Sequence, residues 1–300
     1  MSQLEILQWF TQLQNPFLTE IARVLTFLGN EEFYFLILPL VYWCFSKTTG
    51  FRLFYIFILS MYVNSFLKIH YAITRPIGAE GVNNLFVSSA EVGSHYPHDS
   101  FPSGHAQGSA TLWGYLAYSS RSTKIMVSAA VLICLISVSR LYTGLHWPTD
   151  ILVGVGLGLV IITIAVFLDK YVTNLSLTVK WVLAIIVPLL LLFIFPEEEG
   201  FKFSGILLGA GVGYLLEGKL VNMKISKSIG RKILAFVVGI AGMFAIQVGV
   251  KEIFPEEFIF DFIRYGLIGL WGLLLAPIVF ISLRIYEKDN KKDIYPPIQG

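Results

Sequence analysis

Three short clusters hold most of the reactive side chains of this 300-residue chain. The first runs from Lys68 to Arg75-Pro76. The second is Pro102-Ser103-Gly104-His105, and the third runs from Ser139-Arg140 through His146 to Asp150. Together they supply three cations, a small-residue turn, two imidazoles and one carboxylate. Cations and backbone dipoles stabilise the charge that spreads over a phosphoryl group during transfer. The inventory can therefore hold a phosphate and cleave its ester. Lys68 and Arg75 are seven apart, which on a helix puts both near one face, about two turns apart. Pro76 disfavours helix at Arg75. Pro102 and Ser103 are first-turn residues, and the N–H groups of a helix start attract an anion. Gly104 would let an oxyanion approach the backbone, and His105, one turn in, can exchange a proton near pH 7. His146 and Asp150, four apart, can share one helix face. A carboxylate that accepts one ring N–H fixes the tautomer and leaves the other nitrogen free to attack.

Taken singly, each cluster has a plainer reading. Lys68 could snorkel beside a boundary Arg75, Ser103 could simply cap a helix with an interfacial His105, and His146 with Asp150 could be a buried pair. The three plain readings would have to coincide on one membrane face, in an order and spacing that match one mechanism.

Each cluster lies at the end of a strongly apolar segment. The chain is 55% hydrophobic and only 14% charged, with mean hydropathy +0.70; soluble chains carry about 25% charged residues. A span needs about 20 helical residues to cross a hydrocarbon core of about 30 Å. Nine segments qualify as spans: 31–47, 50–73, 103–119, 122–142, 147–168, 178–195, 203–218, 230–250 and 260–284. The expected fold is an all-α polytopic membrane bundle of about nine transmembrane helices. With the N-terminus outside, the inner segments carry Lys47, Arg52, Arg121, Lys124, Lys170, Lys180, Lys219, Lys224, Lys227, Arg231, Lys232, Arg284, Lys288, Lys291 and Lys292. The outer ones carry Glu197, Glu198, Glu199, Glu256, Glu257 and Asp261. This alternation obeys the positive-inside rule. It puts all three clusters outside and the C-terminus in the cytoplasm, which suggests a cell-membrane protein.

Residues 1–30 read as one or two amphipathic helices at the interface or against the bundle. Residues 31–172 read as the catalytic bundle and 173–300 as additional C-terminal spans. Gly205, Gly209, Gly211 and Gly213 predict close helix packing there. Cys44 and Cys134 lie in apolar runs and suggest neither a disulfide nor a metal site.

The clusters resemble the three-part signature of the type 2 phosphatidic acid phosphatase superfamily, over about 68–150. The nine-span layout is similar to the branch of glucose-6-phosphatase and the sphingosine-phosphate phosphatases. The resemblance implies that His146 attacks phosphorus to form a phosphohistidine, with Asp150 orienting it. It implies that His105 protonates the leaving oxygen and then activates water. Lys68, Arg75, Ser103, Gly104 and Arg140 would hold the nonbridging oxygens. No cofactor and no metal is expected, because side-chain cations already supply the charge.

The implied activity is hydrolysis of lipid phosphate monoesters or pyrophosphates, with a soluble sugar phosphate as the alternative substrate. A transporter or binder of anionic lipids is the rival outside enzymology, although polar groups near mid-membrane would be expected for transport. Phe101 stands where an intramembrane serine protease would need glycine beside Ser103. The soluble haloperoxidases of the same superfamily fit a multispan chain poorly, and no nucleic-acid motif appears. The expected partners are a lipid phosphate and the membrane. His70 reads as a packing residue. His95, His98 and Asp99 read as solvated loop residues or headgroup contacts, and Glu217 as an inner-face boundary residue.

Overall fold

The computed structural model describes residues 1–87 and 95–289; Lys291 and Lys292 lie outside the described residues. Twelve α-helices follow in order among them: α1 (Gln3–Gln12), α2 (Pro16–Phe27), α3 (Glu31–Cys44), α4 (Lys47–Tyr71), α5 (Gly104–Ser120), α6 (Thr123–Tyr142), α7 (Pro148–Thr173), α8 (Leu177–Ile194), α9 (Glu198–Leu216), α10 (Ile229–Ile253), α11 (Phe258–Leu270) and α12 (Ala276–Ser282). A π-helical turn, Glu217–Val221, follows α9, and another, Trp271–Leu275, joins α11 to α12. Two-residue strands Met223–Lys224 and Glu287–Lys288 pair antiparallel.

All nine expected segments are helical, but the count of nine spans is not reached. Among the described residues, seven helical stretches are long and apolar enough to cross a membrane, or eight if α2 and α3, bent by 49°, make one span. Helix α5 has 17 residues, about 25 Å at 1.5 Å per residue. Ser103 caps its start, its Oγ accepting from Ala106 N. Apolar side chains such as Leu152, Val160, Phe167, Phe193 and Val237 are exposed, as expected of helices whose solvent is hydrocarbon. The protein is a multi-pass integral membrane protein.

The described chain divides into two compact units. One contains Met1–Phe35 and Leu59–Ala165; the other contains Leu36–Ile58 and the chain from Val166 onward. The first holds all three clusters. Its α5 and α7 are in close contact at glycine: a Cβ at Gly154 would stand 2.7 Å from Ser103 O, and one at Gly158 would stand 2.8 Å from Ala110 Cβ. A buried polar ladder ties α4 to α5. Asn64 Nδ2 donates to Gln107 Oε1 (2.9 Å), Gln107 Nε2 donates to Ser60 O (2.7 Å), and Ser60 Oγ pairs with Thr111 Oγ1 (2.9 Å). Such groups are costly in hydrocarbon unless they satisfy one another.

The N-terminal helices carry their own start signals. Ser2 and Glu5 form a capping box on α1; Asn15 caps α2, with Pro16 at its first position. Both α1 and α2 are anchored on the end of α6. Gln14 Nε2 donates to Tyr142 O (2.8 Å), and Thr19 Oγ1 pairs with Tyr142 Oη (3.0 Å). Trp9, Phe17 and Val24 remain exposed.

In the second unit the Gly-rich stretch behaves as expected. A Cβ at Gly205 would overlap Phe262 O, and one at Gly209 would overlap Gly266 O, so α9 and α11 meet backbone to backbone. Gly209→Val should destabilise the chain by about 1–3 kcal/mol and lower its thermal midpoint in detergent; an unchanged midpoint would contradict the contact. Glu217, read as a boundary residue, is buried. Both its carboxylate oxygens accept from Lys47 Nζ at 3.0 Å, and Oε1 also accepts from Met223 N at 2.6 Å. Arg52 pairs with Asp169 at 2.8 Å.

Candidate active site

The end of α4, the start of α5, the end of α6 and the start of α7 meet at one end of the first unit. Local sequence explains each boundary there. Helix α6 stops at Tyr142 because Gly144 takes a left-handed φ of 68°, a conformation that costs glycine little. Helix α7 opens on Pro148, where proline loses no helical bond. Helix α4 ends at Tyr71, with Ala72 at φ 46°. Arg75 therefore does not continue the helix that carries Lys68, contrary to the expectation of a shared face. The competing interaction is a backbone clip: Arg75 N donates to Pro97 O and Ser100 N to Ile73 O, each at 2.9 Å. That clip brings the first cluster against the residues that precede the second.

Arg75 is buried and engaged on both sides of its guanidinium. Nε and Nη2 donate to Asp99 Oδ1 and Oδ2 at 2.7 and 2.9 Å. Nη1 donates to Leu145 O at 3.3 Å and lies 3.4 Å from His146 Nε2. Lys68 Nζ donates to Asp99 O at 2.5 Å and stands 3.8 Å from the Asp99 carboxylate. Asp99, expected in a solvated loop, is instead buried between two cations. Burial works against its charge, but the Arg75 hydrogen bond and the Lys68 and Arg75 charges hold its carboxyl below the usual range.

His146 is 2% exposed. Its Nδ1 is 2.9 Å from Ser100 O but 3.5 Å from Asp150 Oδ2, so the shorter contact of the ring is with a backbone carbonyl. Asp150 Oδ2 accepts from Ser100 Oγ (2.5 Å) and from Trp147 N (2.8 Å). The carboxylate thus fixes the two residues that frame the ring, a less direct arrangement than the expected ring N–H to carboxylate bond. Ser103 N donates to Asp150 O at 3.0 Å, which joins the second and third clusters. A Cβ at Gly104 would stand 3.3 Å from Asn64 Oδ1.

His105 and Arg140 reach the site beside the elbow between α2 and α3. His105 Nε2 is 2.7 Å from Asn30 Oδ1, and Arg140 Nη1 donates to Thr26 Oγ1 at 2.8 Å. Gly29 closes the gap, since a Cβ there would meet His105 Cδ2 at 2.9 Å. Burial, then the charges of Arg75, Lys68 and Arg140, and then His105, push the His146 imidazole well below the ordinary histidine value. The cations of the first and third clusters therefore act on one ring. With Nδ1 engaged by the Ser100 carbonyl, Nε2 is the nitrogen available to attack, and Arg75 Nη1 lies next to it.

Four contributors escaped the motif reading: Asp99, Ser100, Thr26 and Asn30. Asp99 and Ser100 directly precede Phe101-Pro102-Ser103, and that adjacency was the available signal. Thr26 and Asn30 carried none, being ordinary polar residues between two apolar helices. His70 is exposed and stacks on Phe66 with ring centroids 5.9 Å apart. His98 pairs with Thr74 Oγ1 at 2.9 Å.

Comparison with known proteins bears on the same region. Residues 49–174 match the PAP2 superfamily, and residues 201–288 match the transmembrane extension of PAP2 superfamily phosphatases. The dihydrosphingosine 1-phosphate phosphatase of Schizosaccharomyces pombe is 25% identical over 221 residues, covering 67% of this chain and 53% of that protein. Phosphatidylglycerophosphatase B of Bacillus subtilis is 28% identical over 165 residues, 50% of this chain and 74% of that protein. Sphingosine-1-phosphate phosphatase 2 of Mus musculus is 28% identical over 195 residues, 62% of this chain and 53% of that protein. The chain thus spans about half the length of the two sphingoid-base phosphate phosphatases it matches. Among solved structures, Aquifex aeolicus LpxE superposes with TM-score 0.47 at 24% identity, covering 54% of this chain and 93% of that one. A phosphatidylglycerolphosphate phosphatase of Bacillus subtilis gives TM-score 0.48 at 23% identity, covering 58% and 87%.

Proposed function

We propose that this chain, which belongs to the PAP2 superfamily, is an integral membrane phosphatase that hydrolyses lipid phosphate monoesters or pyrophosphates through a phosphohistidine. The observation that carries the reading is the buried His146 ring, with Arg75 Nη1 3.4 Å from its Nε2 and the Lys68, Arg75 and Arg140 charges acting on it. In this scheme His146 Nε2 attacks phosphorus, the bond to the leaving oxygen breaks, and His105 donates the proton that oxygen takes up. His105 then accepts a proton from the water that hydrolyses the phosphohistidine, which regenerates both rings. Lys68, Arg75, Arg140 and the α5 N-terminus at Ser103-Gly104 hold the nonbridging oxygens. Asp150 holds Ser100 and Trp147, and through them the His146 ring. These side chains supply the charge that the reaction needs, so no metal step is invoked. The proposed topology puts this site and the N-terminus outside and the C-terminus in the cytoplasm. Residues 31–172 would form the catalytic bundle, and 173–300 the added spans.

A lipid substrate is favoured by the rim. Tyr71 and Ile73 lie between Lys68 and Arg75, Leu152 follows Asp150, and all three are exposed; a tail in the bilayer would meet them while its headgroup reaches Arg75. The deciding experiment is phosphate release by purified protein. The panel is phosphatidic acid, phosphatidylglycerophosphate, an isoprenoid pyrophosphate, a sphingoid-base phosphate and glucose 6-phosphate. Turnover of one or more of the lipids, inhibited by vanadate and undiminished by chelator, is expected. Preference for glucose 6-phosphate would move the assignment to a soluble sugar phosphate, and dependence on added Mg²⁺ would refute the metal-free scheme.

A further inference from the structure

The proposed reaction gives Asp99 no task, yet Asp99 holds more of the pocket's positive charge than any other residue. It engages the whole Nε/Nη2 edge of Arg75, and its main chain and carboxylate both approach Lys68. Asp150 directs its carboxylate instead at Ser100 and Trp147, and the charges of Asp150 and Glu31 also act on Lys68. Asp99 is 8% exposed, so its charge is little screened by salt. A bidentate fork also fixes the guanidinium plane. Of the Arg75 nitrogens, only Nη1 is left turned toward the attacking ring.

We propose that Asp99 is a positioning residue that sets the phosphate affinity of the pocket. It takes one edge of Arg75 so that Nη1 faces the phosphoryl group beside His146. Its negative charge keeps the pocket from retaining free phosphate. The inference rests on the phosphatase reading and deepens it. Two buried guanidiniums and the half-buried Lys68, without the carboxylate paired to Arg75, would bind product dianion as well as substrate. Binding that is uniform along the reaction lowers KM without raising kcat. A carboxylate behind the cations reduces that uniform attraction while preserving the geometry needed at the reacting atom.

The rival account makes Asp99 a clip that merely joins two loops. Two backbone bonds, Arg75 N to Pro97 O and Ser100 N to Ile73 O, already join them. The two accounts predict opposite signs. If Asp99 is only a clip, neutralising it frees Arg75 and weakens anion binding. If it sets affinity, neutralising it tightens anion binding.

The test compares inhibition by inorganic phosphate and by vanadate in the full-length wild type, Asp99→Asn and Asp99→Glu. Asp99→Asn should be inhibited by both anions at concentrations at least about tenfold lower, the scale of one charge about 10 Å away at an effective dielectric of about 20. Its KM should fall without a matching rise in kcat. Asp99→Glu, which keeps the charge, should return inhibition toward wild type. Asp99→Ser removes the same charge with a smaller side chain and serves as the second neutral variant. Unchanged or weaker inhibition in a folded neutral variant overturns the proposal, as does failure of both neutral variants to fold. A wild-type chain that neither releases phosphate nor binds vanadate sinks the phosphatase reading itself, an outcome distinguishable from failure of the Asp99 inference alone.

Discussion

Replacing His146 by alanine is expected to reduce phosphate release by about 10⁴-fold or more, because a covalent route has no counterpart once its nucleophile is gone. The substitution removes the ring's own bond to the Ser100 carbonyl but leaves the frame around it intact, with Asp150 still holding Ser100 Oγ and Trp147 N. The cations stay as well, so the variant should still bind vanadate. That retention would separate lost chemistry from a lost pocket. Acid-labile phosphate trapped on quenched wild-type protein should be missing from the variant. Turnover near the wild-type rate in His146→Ala would remove the basis of the scheme.

The depressed ionisation of His146 adds a pH signature. Its neutral form, the one that the proposed scheme needs for attack, is favoured in the folded protein. The attacking fraction is therefore complete at neutral pH and falls only as pH drops through the lowered value. After allowance for the substrate's own second ionisation near pH 6, the acid limb of kcat/KM from this ring should lie below about 6.5. A limb at or above that value would contradict the placement of the cations around it.

The site was legible in the sequence where residue type and local spacing decide structure. Ser103 before Gly104 caps α5, Gly144 ends α6 and Pro148 opens α7, and these rules operate within a few residues. The close approach of α9 to α11 was equally readable, since glycine at 205 and 209 leaves room for a facing backbone. Hydropathy located the seven long spans and gave α5 its 17 residues, but it could not show that α2 and α3 form a pair bent at residues 28–30. That bend brings Thr26 to Arg140 and Asn30 to His105. The end of α4 was misread for the same reason. Seven-residue spacing suggested a continuous helix from Lys68 to Arg75, while the fold prefers to pair residues 73–75 with 97–100. Long-range backbone pairing leaves no periodic trace, so the carboxylate it carries to Arg75 had no motif to announce it.

Replacing His105 by alanine should divide substrates by their leaving groups. For an alkyl lipid phosphate the departing alkoxide needs a proton, and loss of a positioned acid should cost about 10²–10⁴-fold. A nitrophenolate leaves readily without one, so formation of the phosphohistidine from p-nitrophenyl phosphate should be nearly unimpaired. The same ring is assigned to activate water in the second step. His105→Ala should therefore release one rapid equivalent of nitrophenol and then turn over slowly, whereas the wild type continues. Asn30 Oδ1 lies 2.7 Å from His105 Nε2. A neutral oxygen there can accept from that N–H in the imidazolium, leaving Nδ1–H for the leaving oxygen. Gly29 keeps the elbow close enough for this contact. If His105 instead helped only to bind phosphate, both esters would lose activity by the same factor and no burst would appear. Equal losses would thus take the acid–base assignment away from His105 while leaving the nucleophilic role of His146 intact.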